Sequence, residues 1–233
     1  MKRFFYLFAS FLLVLHLGAA EPIRVACVGN SITYGHGIPD RETAAYPAVL
    51  GRLLGNDYDV RNFGISARTL LQKGDHPYMK EAIYREALDF QPNIVTIKLG
   101  TNDTKPFNWV YQEEFKDDLR TLINSFQALD SHPLVYLCTP IPGGREDWGI
   151  NDSTLVAAVI PYIYDVAKEY GLPVIDLHTA FMPYQHLLKD RVHPNADGAA
   201  VLAHVIAEAI RPAAEGSDNR RRAHRGLFGR HRK

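Results

Sequence analysis

Ser31 follows a short apolar run, Ile23 to Val28, that breaks at Gly29-Asn30. A serine hydroxyl is a weak nucleophile unless a base lies within hydrogen-bond reach, and His193, whose ring titrates near neutrality, is suited to that task. Asp190 stands three residues earlier, close enough in a turn to hold the second ring nitrogen and to stabilise an imidazolium. Acyl transfer also needs hydrogen-bond donors aimed at an oxyanion. The backbone N–H groups of Ser31 and Gly64 and the side-chain amide of Asn102 are the expected donors, Gly64 because no side chain obstructs the approach. Nucleophile, base, orienting acid and oxyanion donors together describe ester chemistry.

These groups lie far apart in the chain, so a scaffold must gather them. Five short apolar runs read as buried strands: Ile23–Val28, Tyr58–Asn62, Asn93–Leu99, Leu134–Cys138 and Pro173–Leu177. Between and after them, helical spacing or composition marks Tyr46–Leu54, His76–Phe90, Phe115–Leu129, Thr154–Tyr170 and Ala196–Ile210. Alternating strands and helices predict an α/β fold, a five-stranded parallel sheet covered by helices on both faces. Right-handed crossovers leave few topologies, and the flavodoxin-like order, second-first-third-fourth-fifth, is the expected one. Loops after the strands then share one edge of the sheet, where such folds place reactive groups. Pro194-Asn195 opens the last helix with Asn195 as its cap, anchoring the turn that bears His193.

GNSITYG, NFG-ISA, LGTND and D-RV-HP stand in the order and spacing of four motif blocks, and through them the chain resembles the SGNH, or GDSL-type, esterase and lipase family from about Ile23 to Ile210. The resemblance implies that Ser31 is the nucleophile, that Asp190 and His193 complete a triad, and that Gly64 and Asn102 complete the oxyanion hole. It implies the flavodoxin-like, three-layer fold and a reaction that needs no metal and no organic cofactor. Asn30 departs from the pattern, since many members carry Asp there. With GNSITYG and the long Trp-bearing loops, the chain looks most like acetylesterases of glycans or sialic acid. The expected function is hydrolysis of small acyl esters, acetyl foremost, on a carbohydrate. A lysophospholipase or thioesterase of the same family and a catalytically silent glycan-binding protein are the alternatives.

Other motifs fail on their spacing. The residues around Ser31 are not Gly-x-Ser-x-Gly, which excludes the α/β-hydrolase elbow. Gly35-His36-Gly37 does not extend to Gly-x-Gly-x-x-Gly, because Asp40 takes the last place. His36, His76, His178 and His186 lack metal-ligand spacing. Trp109 and Trp148, in the connections after the third and fourth strands, offer a sugar platform or cap an apolar edge, with Asp147 and Asn151 near Trp148 suited to hydroxyls. Lys98 either faces solvent at the sheet end or touches the site.

The chain has 233 residues, 46% hydrophobic and 22% charged, which suits one α/β domain. Residues 1–20 have a basic start at Lys2-Arg3, an apolar core and the small residues Gly18-Ala19-Ala20, the pattern of a cleavable export signal, and the core is too short to span a membrane. Residues 21–213 form the hydrolase domain. Residues 214–233 are arginine-rich and read from composition as a disordered extension. Formal net charge is +0, so the domain between two basic ends is acidic, which argues against nucleic acid as a partner. The expected partner is an acylated carbohydrate or another small ester, met in the periplasm or outside the cell. Cys27 and Cys138 lie in strands that are not neighbours in the expected order, which predicts two free thiols.

Overall fold

β1 (Ile23–Gly29) lies between β2 (Tyr58–Gly64) and β3 (Ile94–Lys98), and β4 (Leu134–Cys138) and β5 (Val174–Ile175) extend the sheet in the order β2-β1-β3-β4-β5. All pairings are parallel. The structure, a computed structural model, describes residues 21–211. The expected signal at 1–20 and the basic tail at 214–233 lie outside the described residues. The order is the one read from the sequence, and it follows from helical crossovers of one hand between parallel strands.

Alternation along the strands divides the core in two. Ala26 and Val28 of β1 face a layer built on helices Ala82–Asp89, Phe115–Gln127 and Ile160–Tyr170, whereas Val25 and Cys27 face Tyr46–Leu54 and the last helix, residues 196–211. Period-two side chains on a doubly covered sheet give this division. Cys27 and Cys138 are buried free thiols on opposite sides of β3, and burial pushes both up to about 12.

Two elements depart from the sequence reading in a way that the local contacts explain. The helix expected from His76 begins at Ala82, because Thr69 N–H donates to His76 O at 2.9 Å and Tyr78 N–H donates to Thr69 O at 3.0 Å. Pro77 also biases His76 toward extended backbone. β5 stops at Ile175 because the Asp176 carboxylate accepts from Thr179 N–H at 3.0 Å and Thr139 Oγ1 at 3.1 Å, starting a new helix, Leu177–Phe181.

Lys98 ends β3 in register with Gly29, and it neither faces solvent nor lines the cleft described below. Its side chain is fully buried and Nζ has no hydrogen-bond partner among the described residues. Burial brings the amine down to about 7 from its ordinary 10.5. Between those values the unfolded chain binds the additional proton, so this group makes stability rise with pH by up to about 1.4 kcal/mol per unit. Below pH 7 its penalty is complete. Lys98→Met is expected to raise stability at pH 7 and to flatten the pH dependence relative to wild type. Urea unfolding of both proteins at pH 7, 7.5 and 8, below the ordinary thiol value, checks this; equal slopes would exclude Lys98 as the source.

Candidate active site

Where β1 ends, Asn30 turns the chain into the short helix Ser31–Tyr34, and its Oδ1 accepts from Ile32 N–H at 3.1 Å. Ser31 is thereby fixed as the first residue of a helix, with a backbone N–H that has no intrahelical acceptor. Its hydroxyl Oγ lies 2.7 Å from His193 Nε2. His193 Nδ1 in turn lies 2.7 Å from Asp190 Oδ2, while Asp190 Oδ1 accepts from the backbone N–H of His193 at 2.7 Å and of Val192 at 3.0 Å. One carboxylate thus orients the ring and shapes the turn that carries it. Arg191, between them, takes a positive φ of 67°, a strained conformation held by that clamp. Asn195 caps the last helix, its Oδ1 accepting from Gly198 N–H at 2.9 Å.

The electrostatics suit a general base. Burial lowers the His193 pKa, the hydrogen bond and charge of Asp190 raise it, and the balance falls below the ordinary histidine value. Burial raises the Asp190 carboxyl, but hydrogen bonds from the His193 ring and backbone outweigh it and hold the carboxyl below its usual range. At neutral pH the pair is a carboxylate beside a neutral imidazole, the state that can accept a serine proton.

The expected oxyanion donors are only partly assembled. Asn102 lines the cleft beside Ser31 and His193, and its Nδ2 donates to Arg68 O at 3.0 Å, leaving its second N–H free of that bond. Gly64 does not take the place expected of it. Its N–H donates to Asn62 Oδ1 at 2.9 Å, and it does not line the cleft. A Cβ there would lie 2.3 Å from Tyr34 N and 2.7 Å from Thr33 C, so this glycine lets β2 pack against the helix bearing Ser31. Ala67, three residues on, lines the cleft instead, and its N–H has no partner among the described residues. Ala67 also has a φ of 68°, the left-handed region. Sequence reasoning missed it because an alanine gives no local sign of that conformation.

An open cleft of about 380 Å³ lies over these groups, lined in addition by His36, Ser66, Lys105, Trp148 and Ile150. The His36 ring sits 4.6 Å from that of His193, placed there because Gly35 ends the Ser31 helix and His36 N–H donates to Ser31 O at 2.9 Å. Trp148 is 5.7 Å from the His193 ring, and the Arg145 guanidinium lies over the indole, 3.9 Å from the ring centre. Trp109 takes no part in this wall. It packs inward against Phe115 and stacks on Tyr162, at 6.0 and 6.3 Å between ring centres. Asp147 is paired with Arg145 at 2.9 Å, and Asn151 Oδ1 caps the next turn, accepting from Thr154 N–H at 3.1 Å. Among the described residues, no three His, Cys, Asp or Glu side chains are grouped to hold a metal ion.

A family model described as the GDSL-like Lipase/Acylhydrolase family matches residues 27–201. The chain belongs to the GDSL-like lipase/acylhydrolase family. An acetylxylan esterase of Xylanibacter ruminicola is 45% identical over 209 residues, covering 82% of this chain and 44% of the relative, so the chain spans under half the length of that protein. Thioesterase 1/protease 1/lysophospholipase L1 of Escherichia coli K12 is 24% identical over 204 residues, covering 87% of this chain and 90% of the relative. Among solved structures, Est24, a carbohydrate acetylesterase from Sinorhizobium meliloti, shares the fold with a TM-score of 0.68 at 19% identity, over 82% of this chain and 100% of that one. A lipase/acylhydrolase from Enterococcus faecalis does so with a TM-score of 0.65 at 22% identity, over 82% and 96%.

In this acylhydrolase the segment bearing Ala67 is tied to the turn after β3. Asp103, fully buried, accepts from Leu71 N–H at 2.8 Å and Leu70 N–H at 3.2 Å. Ala67→Gly removes the left-handed penalty on a Cβ, offset by the entropy of glycine, and is expected to stabilise the protein by about 0.5–1 kcal/mol while retaining activity. Chemical denaturation with an ester assay tests both. The rate should rise with pH along an ascending limb whose midpoint lies below about 6.5, the ordinary histidine value. A kcat/KM profile on p-nitrophenyl acetate measures it, and a midpoint above that value would contradict the neutral, buried His193.

Proposed function

We propose that this acylhydrolase is an esterase that removes acetyl groups from a carbohydrate through an acyl-Ser31 intermediate. The observation that carries the reading is the unbroken relay from Ser31 Oγ to His193 Nε2 and from His193 Nδ1 to Asp190, each link 2.7 Å long, at the floor of an open cleft. Ser31 Oγ attacks the acetyl carbonyl as His193 takes its proton. The N–H groups of Ser31 and Ala67 and the amide of Asn102 receive the oxyanion, each such donor typically contributing about 2.7–4 kcal/mol to the barrier. His193 then gives the proton to the departing sugar oxygen. Water repeats the sequence on the acyl-enzyme, and acetate leaves.

Several features support a small acyl group on a sugar. The cleft wall mixes His36, Ser66 and Lys105 with Trp148 and Ile150 rather than forming a continuous apolar channel. Trp148 offers a partly exposed ring beside the base, a surface suited to the face of a sugar. The likeness to an acetylxylan esterase over most of this chain favours the same class of ester. The segment 1–20 exports the chain, so the substrate is met outside the cytoplasm; no helix among the described residues is long and apolar enough to cross a membrane. Lysophospholipase or thioesterase activity is the second reading, favoured by the Escherichia coli relative that the chain covers for most of its length.

Wild type is expected to hydrolyse p-nitrophenyl acetate and to release acetate from acetylated glycans, whereas Ser31→Ala should lose on the order of 10⁶ in turnover. Acetyl, butyryl and octanoyl esters should be cleaved with falling efficiency. A rise with chain length would favour the second reading, and a well-folded wild type inert toward all of them would remove both.

A further inference from the structure

We infer that the outer face of residues 106–111 is a polysaccharide-binding ridge, on which Phe107, Val110 and Tyr111 carry sugars neighbouring the acetylated residue that sits over Ser31. The inference rests on the carbohydrate reading above and adds to it that the substrate is a chain rather than a free sugar.

The sequence PFNWVY folds as the helical turn Pro106–Trp109 and continues through Val110. Its inner side is anchored. Asn108, only 1% exposed, donates from Nδ2 to Asn102 O at 2.9 Å and Asp75 Oδ1 at 3.0 Å, and its Oδ1 accepts from Asp75 N–H at 2.8 Å. Trp109 is stacked against the core. Positions 107, 110 and 111, spaced i, i+3 and i+4, therefore share the opposite side. Phe107 is 58% exposed, Val110 68% and Tyr111 38%, an apolar group set in water on a turn that its own anchors hold still. Isolated exposed apolar residues need no explanation, but a contiguous group beside a cleft marks a binding surface.

The ridge is continuous with the cleft. Lys105 lines the cleft, and its Nζ lies 5.8 Å from the centre of the Phe107 ring. Gly149, next to Trp148, packs so closely on this turn that a Cβ would lie 3.0 Å from Pro106 Cδ. Trp148, itself 37% exposed, thus stands at the junction of the two surfaces. At the far end the Lys73 ammonium lies 5.9 Å from the Tyr111 ring. Both lysines are paired, Lys105 with Asp75 and Lys73 with Glu114. The ridge is therefore a neutral aromatic strip with a polar, charge-balanced rim. Sugar rings present C–H faces that pack on aromatic rings and hydroxyls that bond such a rim. An anionic lipid surface would instead call for unpaired cations.

The test compares wild type with Phe107→Ala/Tyr111→Ala on acetylated xylan and on p-nitrophenyl acetate, an ester too small to reach the ridge. The variant should raise KM for acetylated xylan at least about fivefold while kcat stays unchanged, and its activity on p-nitrophenyl acetate should equal that of wild type. Phe107→Tyr/Tyr111→Phe, which keeps two rings, should retain the wild-type KM. An unchanged polymer KM in the alanine variant would overturn the ridge, as would an equal loss on both substrates, which would reveal a purely structural role. Loss of binding to phosphatidylglycerol vesicles with polymer KM unaltered would overturn it in favour of a lipid surface. If wild type cleaves p-nitrophenyl acetate but releases no acetate from any acetylated glycan, the carbohydrate reading fails, and the ridge with it. That result differs from intact polymer activity in both proteins, which removes the ridge alone.

Discussion

The hydrogen bond between Ser31 Oγ and His193 Nε2 joins residues 162 positions apart in the chain, and the site exists only while it is kept at 2.7 Å. Ser31 is placed by a buried inner strand of the sheet and the first turn of a helix. His193 has no strand of its own. It is held by a short bridge between Leu188 and Pro194, by Lys189 N–H donating to His193 O at 3.0 Å, and by the Asp190 clamp. Gly143 completes the arrangement from the other side. A Cβ there would lie 2.6 Å from Arg191 O, so the loop that carries Trp148 can rest on the triad turn only through a residue with no side chain.

The opposite wall of the cleft depends on the turn after β3. Asn102 reaches Arg68, Asp103 receives the N–H groups of Leu70 and Leu71, and Asn108 braces Asn102 in turn. Burial, partly opposed by the hydrogen bonds, brings the Asp103 carboxyl up to about 6, and Asp103 is the partner that holds the 70–71 backbone in place. With both flanks tied, Ala67 can persist at a positive φ that an isolated alanine would leave. The wall is thus a backbone feature fixed by side chains from another loop. In the proposed mechanism its donors are therefore preorganised, which is where electrostatic catalysis gains most.

Two tryptophans show how neighbours rather than residue type decide a role. Trp109 sits on an amphipathic turn whose inner side meets Phe115 and Tyr162, and partial burial there removes much of a large ring from water. Trp148 sits on a tight loop between Arg145 and Ile150, too short to turn its ring into the core, and the Arg145 guanidinium covers part of it while the rest faces the cleft. The same turn that buries Trp109 leaves Phe107, Val110 and Tyr111 outside.

The amino-acid sequence by itself determined the parallel sheet, its strand order and the serine, histidine and aspartate that meet at its edge. Apolar runs, helical spacing and turn-forming residues are local signals, and the three side chains lie in loops that the strand order brings together. It expected Gly64 among the oxyanion donors, whereas the Gly64 N–H is bound to Asn62 Oδ1 and the residue is needed where β2 packs on the Ser31 helix. It gave no sign of Ala67, His36 as a cleft residue, or the burial of Lys98, because each is decided by contacts from segments far away in the chain. Tertiary structure alone chose which backbone N–H groups stay unpaired and which aromatic rings stay wet. Both depend on where the rest of the chain has already satisfied its hydrogen bonds and buried its apolar surface.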